Sequence, residues 1–141
     1  MRAPWHLWVV GILMLLWNGM GAMDYVMTVS RNADYLTQFT PERLAFLEAF
    51  PGWAKGSWAL AVWLYVIGTL LLLWRSRLAV RVLFSGFIFL LITTFHNLFL
   101  AKVPATETMS AGEMVFTLVI FILSILQIIY AEFMRRNGVL T

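Results

Sequence analysis

The stretch that decides the fold is WAKGSWALAVWLYVIGTLLLLWRSRLAVRVLFSGFIFLLITTFHNLFL, residues 53–100. Two apolar runs, 53–73 and 78–100, flank Trp74-Arg75-Ser76-Arg77, and Arg81 follows one turn later. A hydrocarbon core takes about 20 mostly apolar residues in helical form, and each run meets that length. So short a connector makes the two helices an antiparallel hairpin. Its arginines also mark topology, because Lys and Arg in short loops stay on the cytoplasmic side.

Two further spans lie outward from this hairpin, at about 5–23 and about 114–130. The expected architecture is therefore all-α, a four-helix transmembrane bundle forming one membrane domain over 1–141. Composition agrees. Of 141 residues, 62% are hydrophobic and 12% charged, against roughly 45–50% and 25% in soluble proteins. Counting outward, Arg2, Arg75, Arg77, Arg81, Arg135 and Arg136 gather at the hairpin's end with Glu132. The other end has Arg31, Arg43, Lys55 and Lys102 with Asp24, Asp34, Glu42, Glu48, Glu107 and Glu113. That asymmetry predicts both termini in the cytoplasm. Arg2, the apolar 7–17 and Gly19-Met20-Gly21 have the outline of a secretory signal. The bulky Trp5, Trp8 and Trp17, and apolar character continuing through Val26, favour a retained helix.

Residues 24–52 form the one sizeable loop. Thr40 is a capping hydroxyl, Pro41 suits the first helical position, and Leu44, Leu47 and Phe50 recur opposite Glu42, Arg43 and Glu48. This predicts a short amphipathic helix over 41–50 on the outer face, ended by Pro51-Gly52. Arg31-Asn32-Ala33-Asp34 reads as a turn, and the second loop, 101–113, is punctuated by Pro104.

Polar residues at membrane depth carry the functional information, because an unsatisfied polar group in hydrocarbon costs several kcal/mol. Asn18 and Asp24 on the first span, and Thr93, Thr94, His96 and Asn97 on the third, all fall toward the outer leaflet under this topology. At the helical rise, Asn18 sits roughly 9 Å below Asp24 and Thr93 about 10 Å below Leu100. Ser85, Phe89, Thr93 and His96 or Asn97 share one face, expected to point inward. A ligand pocket of Asn18, Asp24, His96 and Asn97 follows, with Trp17, Trp53, Trp58 or Tyr25 as walls and Lys55 and Glu113 at its rim. Gly19 and Gly21 would let the helices approach closely. Carboxylate, imidazole, amide and indole groups together suit a small polar solute such as a sugar. The alternative is that these side chains hydrogen-bond across helices and hold the bundle together. That reading leads for Gln127, on one face with Thr117 and Ser124. His6, beside Trp5 and Trp8, reads as an interfacial anchor.

Several chemistries are excluded. The chain has no cysteine, hence no disulfide, thiolate metal site or cysteine nucleophile. His6 and His96 fall on opposite sides of the bilayer, and no HExxH, GxSxG or Walker loop occurs. No enzyme activity, cofactor or metal is expected. The basic residues sit at helix ends rather than in a stripe, so nucleic acid is not a partner. A small proton-coupled exporter would need a carboxylate near the midplane, and Asp24 is too close to the surface.

Four segments carry a family resemblance: Trp17-Asn18-Gly19-Met20-Gly21-Ala22-Met23-Asp24-Tyr25-Val26-Met27-Thr28, Thr40-Pro41-Glu42-Arg43-Leu44-Ala45, Pro51-Gly52-Trp53 and Leu71-Leu72-Leu73-Trp74-Arg75-Ser76-Arg77. Through the third span the chain resembles small bacterial four-helix inner-membrane proteins often labelled sugar transporters. The resemblance implies a class and no functional residues. Two functions are then expected: binding or transport of a small polar solute, as a homodimer because four helices are few for a carrier, or a non-transporting accessory role docking a partner. Membrane lipids are partners in either case.

Overall fold

The hairpin forms as expected. In the computed structural model, which describes residues 3–30, 33–100 and 110–141, α4 (Gly52–Leu73) turns back into α5 (Leu78–Phe95), and a π-helical turn (His96–Leu100) extends α5. Before it come α1 (Trp5–Val29), α2 (Ala33–Leu36) and α3 (Pro41–Glu48), and after it α6 (Ala111–Arg136). Arg2, Arg31 and Asn32, and the second loop's Lys102, Pro104 and Glu107, lie outside the described residues. Among the described residues four helices, α1, α4, α5 with its π turn, and α6, are long and apolar enough to cross a membrane. The chain is a multi-pass membrane protein of all-α, four-helix type.

Local chemistry sets the ends. Thr40 Oγ1 accepts from the Arg43 amide and Pro41 occupies the first position of α3, as its sequence predicts. This helix stops at Glu48 rather than at residue 50, because Pro51 holds Phe50 out of the helical region. Ser110 caps α6 by accepting from the Glu113 amide, so α6 begins three residues before the expected start at 114. It also runs past 130, to Arg136. The first span likewise runs past Met23 to Val29, since no glycine or proline interrupts 22–30.

The α4–α5 turn and the end of α6 are built alike. Ser76 N donates to Leu71 O and Arg75 N to Leu72 O, while Val139 N donates to Met134 O and Gly138 N to Arg135 O. Both are Schellman closures, whose left-handed residue is usually glycine. Gly138 fills that place after α6 at φ 73°, but Arg75 fills it after α4 at φ 60°. An L-residue there costs about 1–2 kcal/mol, and the chain after α6 offsets it. Thr141 N donates to Arg75 O at 2.8 Å, and Arg75 Nε donates to Val139 O at 3.0 Å. The tail is thereby fastened across the turn, with Val139 and Leu140 buried beside Leu7, Leu72 and Met134.

α4 is the hub, packed against α1 on one side and α5 on the other, with α6 against α5. Close approach is set by glycines. A Cβ on Gly68 would lie 2.6 Å from Leu83 Cδ2, one on Gly86 2.9 Å from the Tyr65 ring, and one on Gly11 2.4 Å from Leu73 Cδ2. Gly19 and Gly21 do not have this role: nothing lies within 4 Å of a Cβ on Gly19, and Val62 alone reaches Gly21 at 4.0 Å. The inward face of α5 is Ala79, Leu83, Gly86 and Thr93. Ser85, expected on that face, is one position out of phase; it is exposed and bonds Arg81 O of its own helix. At the other end of the bundle Phe46 and Phe50 of the loop segment bury against Ala54, flanked by Leu47 and Trp58. The large side chains left exposed, among them Leu16, Met20, Leu118 and Ile129, form the surface that acyl chains cover.

Candidate functional site

Asn18 is buried near the middle of α1, because that helix continues to Val29. Its Nδ2 donates to Thr69 Oγ1 at 2.7 Å and to Gln127 Oε1 at 2.8 Å, with Tyr65 O at 3.4 Å. Gln127 Nε2 returns a bond to Asn18 Oδ1 at 3.4 Å. Thr69 Oγ1 donates in turn to Tyr65 O, and the Tyr65 hydroxyl to Ser124 O. Three helices, α1, α4 and α6, are joined by this cluster. Gln127 is therefore an interhelical bond, as its place on the Ser124 face suggests, and Asn18 is its partner.

Asp24 lies six residues, about 1.7 turns, beyond Asn18 and accepts from the Tyr35 hydroxyl of α2. Burial and that bond both push the Tyr35 phenol above its ordinary range. Arg43 of α3 lies over the Phe46 ring, 5.1 Å from its centroid. Burial lowers its guanidinium below the usual value, against the opposing charges of Glu113 and Asp24. Glu113 itself is exposed on the first turn of α6, and Lys55 is half-buried on the first turn of α4.

His96 is buried at the start of the π turn. Phe50 and Trp53 present their rings to it edge-on, at 5.0 Å and 5.3 Å between centroids, and its Nδ1 is 3.1 Å from Asn97 Oδ1. Trp58 stands in the same layer, 4.9 Å from Tyr25 and 6.1 Å from Phe50. The layer is continuous from α1 through the α3 loop to α5.

Of the residues expected to share one pocket, His96 and Asn97 are joined by a hydrogen bond, and Trp53 packs on His96. Asn18 and Asp24 make their bonds elsewhere, to Thr69 and Gln127 and to Tyr35 respectively. Among the described residues every buried side-chain nitrogen or oxygen has a partner. The groove beside His96, about 460 Å³, is bordered by Trp53, Leu91, Thr94, Phe95, Leu98 and Phe99 and is almost wholly apolar. No group of three His, Asp or Glu that would hold a metal occurs among the described residues. His6, expected at the interface, bonds the Tyr130 hydroxyl at 2.7 Å and so ties α1 to α6.

Thr69, Tyr35, Arg43 and Phe50 complete these arrangements without having been expected to. Thr69 follows Gly68 on the inward face of α4, a pairing of small residues that marks a helix contact. For Tyr35 the sequence holds no signal. No family model, curated protein or solved structure matches this chain.

Proposed function

We propose that this chain is a non-catalytic, non-transporting accessory protein of the bacterial inner membrane, with the arginine-rich α4–α5 turn and both termini in the cytoplasm. One observation carries the reading: among the described residues every buried side-chain nitrogen or oxygen has a hydrogen-bond partner, and the Asn18 amide donates to Thr69 and Gln127 of neighbouring helices. The α2–α3 segment is then the docking platform. Phe46 and Phe50 hold it against Ala54, while Asp34, Gln38, Glu42 and Glu48 are exposed. Reporter fusions after Thr141 test the orientation, with activity expected from a cytoplasmic reporter only. Photo-cross-linkers at Gln38 and Glu48 test docking. A single discrete adduct from those positions, absent with the probe at lipid-facing Leu118, is the expected result; no adduct at either position rejects the role.

The solute-binding reading draws on the aromatic layer around His96, whose Phe50, Trp53, Trp58 and Tyr25 are suited to stack on a sugar ring. A thermal screen with sugars and polyols separates the two. A ligand at 100 times its dissociation constant adds about 2.7 kcal/mol, and the accessory reading expects no such shift.

A further inference from the structure

The two ends of the bundle differ, and the arginine-rich end has a feature that neither docking nor interior packing uses. A cleft of about 610 Å³ opens between the start of α5 and the end of α6, lined by Ser76, Arg77, Leu78, Arg81, Glu132 and Arg135 among others. Its side chains bring three guanidiniums against one carboxylate. Glu132 is committed to its own helix: it accepts from Arg135 Nε at 2.8 Å and from Arg136 Nε at 3.0 Å. Arg77 uses Nε on Leu140 O at 3.4 Å, which fixes the side chain and leaves its terminal nitrogens. Among the described residues the Arg81 guanidinium has no hydrogen-bonded or ion-paired partner, although it borders the cleft one helical turn from Arg77.

We propose that this cleft binds the phosphate of an anionic membrane phospholipid. Guanidiniums converging from two elements suit phosphate oxygens, to which Arg donates in a planar fork. The start of α5 adds the partial positive charge of a helix N-terminus, with Ser76 already meeting two of its donors, the Leu78 and Ala79 amides. A lipid rather than free phosphate is indicated by what adjoins the cleft. Leu78 is in its wall, and Leu78, Phe84 and Phe133 are more than half exposed on α5 and α6, the two helices that border it, which offers apolar surface to an acyl chain. The headgroup is thus held at the interface while its tail lies on the bundle.

The test uses the full chain in zwitterionic micelles, titrated with phosphatidylglycerol, phosphatidylcholine or inorganic phosphate and followed by thermal unfolding and native mass spectrometry. Phosphatidylglycerol is expected to raise the unfolding temperature and to bind at least about tenfold more tightly than phosphatidylcholine, as charge-assisted contacts require. Arg77→Gln with Arg81→Gln removes that preference. Arg81→Gln alone weakens it while leaving the unfolding temperature in lipid-free micelles unchanged, because among the described residues the Arg81 side chain has no hydrogen-bonded or ion-paired partner. Arg136, exposed and outside the cleft, is the control, and Arg136→Gln keeps the preference. Equal binding of the two lipids overturns the proposal, as does an equal loss in Arg136→Gln, which would reduce the effect to general surface charge. Displacement of phosphatidylglycerol by an equal concentration of inorganic phosphate overturns the lipid assignment.

Discussion

Replacing Asn18 with alanine removes the polar contact that joins α1 to both α4 and α6. Its two short bonds, to Thr69 at 2.7 Å and Gln127 at 2.8 Å, set the magnitude. A side-chain bond between transmembrane helices averages about 0.6 kcal/mol and reaches at most about 1.7. Two such bonds give a loss between about 1.2 and about 3.4 kcal/mol. The upper half of that range applies, because Gln127 keeps a buried amide that Asn18→Ala leaves unpaired, and an orphaned group costs more than the bond itself contributes. Pairing the change with Gln127→Ala closes a double-mutant cycle, measured as reversible unfolding in mixed micelles by far-UV circular dichroism. The expected coupling is about 0.6–1.7 kcal/mol. Asp24→Asn serves as the contrast: Asp24 bonds Tyr35 instead, so its effect adds to that of Asn18→Ala. A coupling of Asn18 with Gln127 within about 0.3 kcal/mol of zero, or a strong coupling of Asn18 with Asp24, would refute the reasoning.

At the α4–α5 contact, Gly68→Ala forces a methyl against Leu83 at 2.6 Å, with the Leu83 backbone nitrogen at 3.3 Å, and is expected to cost about 1–3 kcal/mol by thermal unfolding. Gly19→Ala meets nothing within 4 Å and should be neutral or stabilising by up to about 1 kcal/mol. Arg75→Ala keeps the left-handed strain and loses the bond to Val139 O, whereas Arg75→Gly loses the bond but relieves the strain, so the Ala variant should unfold at a lower temperature than both wild type and Gly. Tyr35→Phe should speed amide exchange in residues 33–36 by freeing α2 from Asp24. The same variant alters the alkaline limb of stability. With its folded phenol pKa raised above the unfolded value of about 10, Tyr35 contributes fully below pH 10, and that contribution is lost as pH rises further; the phenylalanine variant lacks this decline.

What the sequence revealed was whatever depends on local periodicity and capping. The arginine-marked hairpin and the Thr40-Pro41 helix start are of that kind, and both formed as expected. Ends and faces were harder. Asp24 reads as the end of the first span, yet it lies inside a helix continuing to Val29 and bonds Tyr35 from there, which leaves Asn18 near the middle of α1. A one-residue phase difference separates Ser85, exposed, from Gly86, buried against Tyr65. The choice of Thr69 and Gln127 as partners of Asn18 depends on which helices face α1, a tertiary fact that no spacing within α1 encodes. Nor does any local signal foretell Arg75 in a glycine's conformation, since its compensation comes from the chain beyond α6.

Because the chain has no cysteine of its own, single introduced thiols report directly on whether the bundle interior is closed, and this is the measurement closest to the central claim. Thr69→Cys and Ser57→Cys place a thiol at two buried positions of α4, with Gln38→Cys as an exposed reference. A membrane-impermeant maleimide is expected to label residue 38 rapidly and to leave residues 57 and 69 unlabelled until the protein is denatured. Labelling of either buried thiol in the folded protein at a rate comparable with residue 38 would reveal a water-filled path through the bundle and contradict the account.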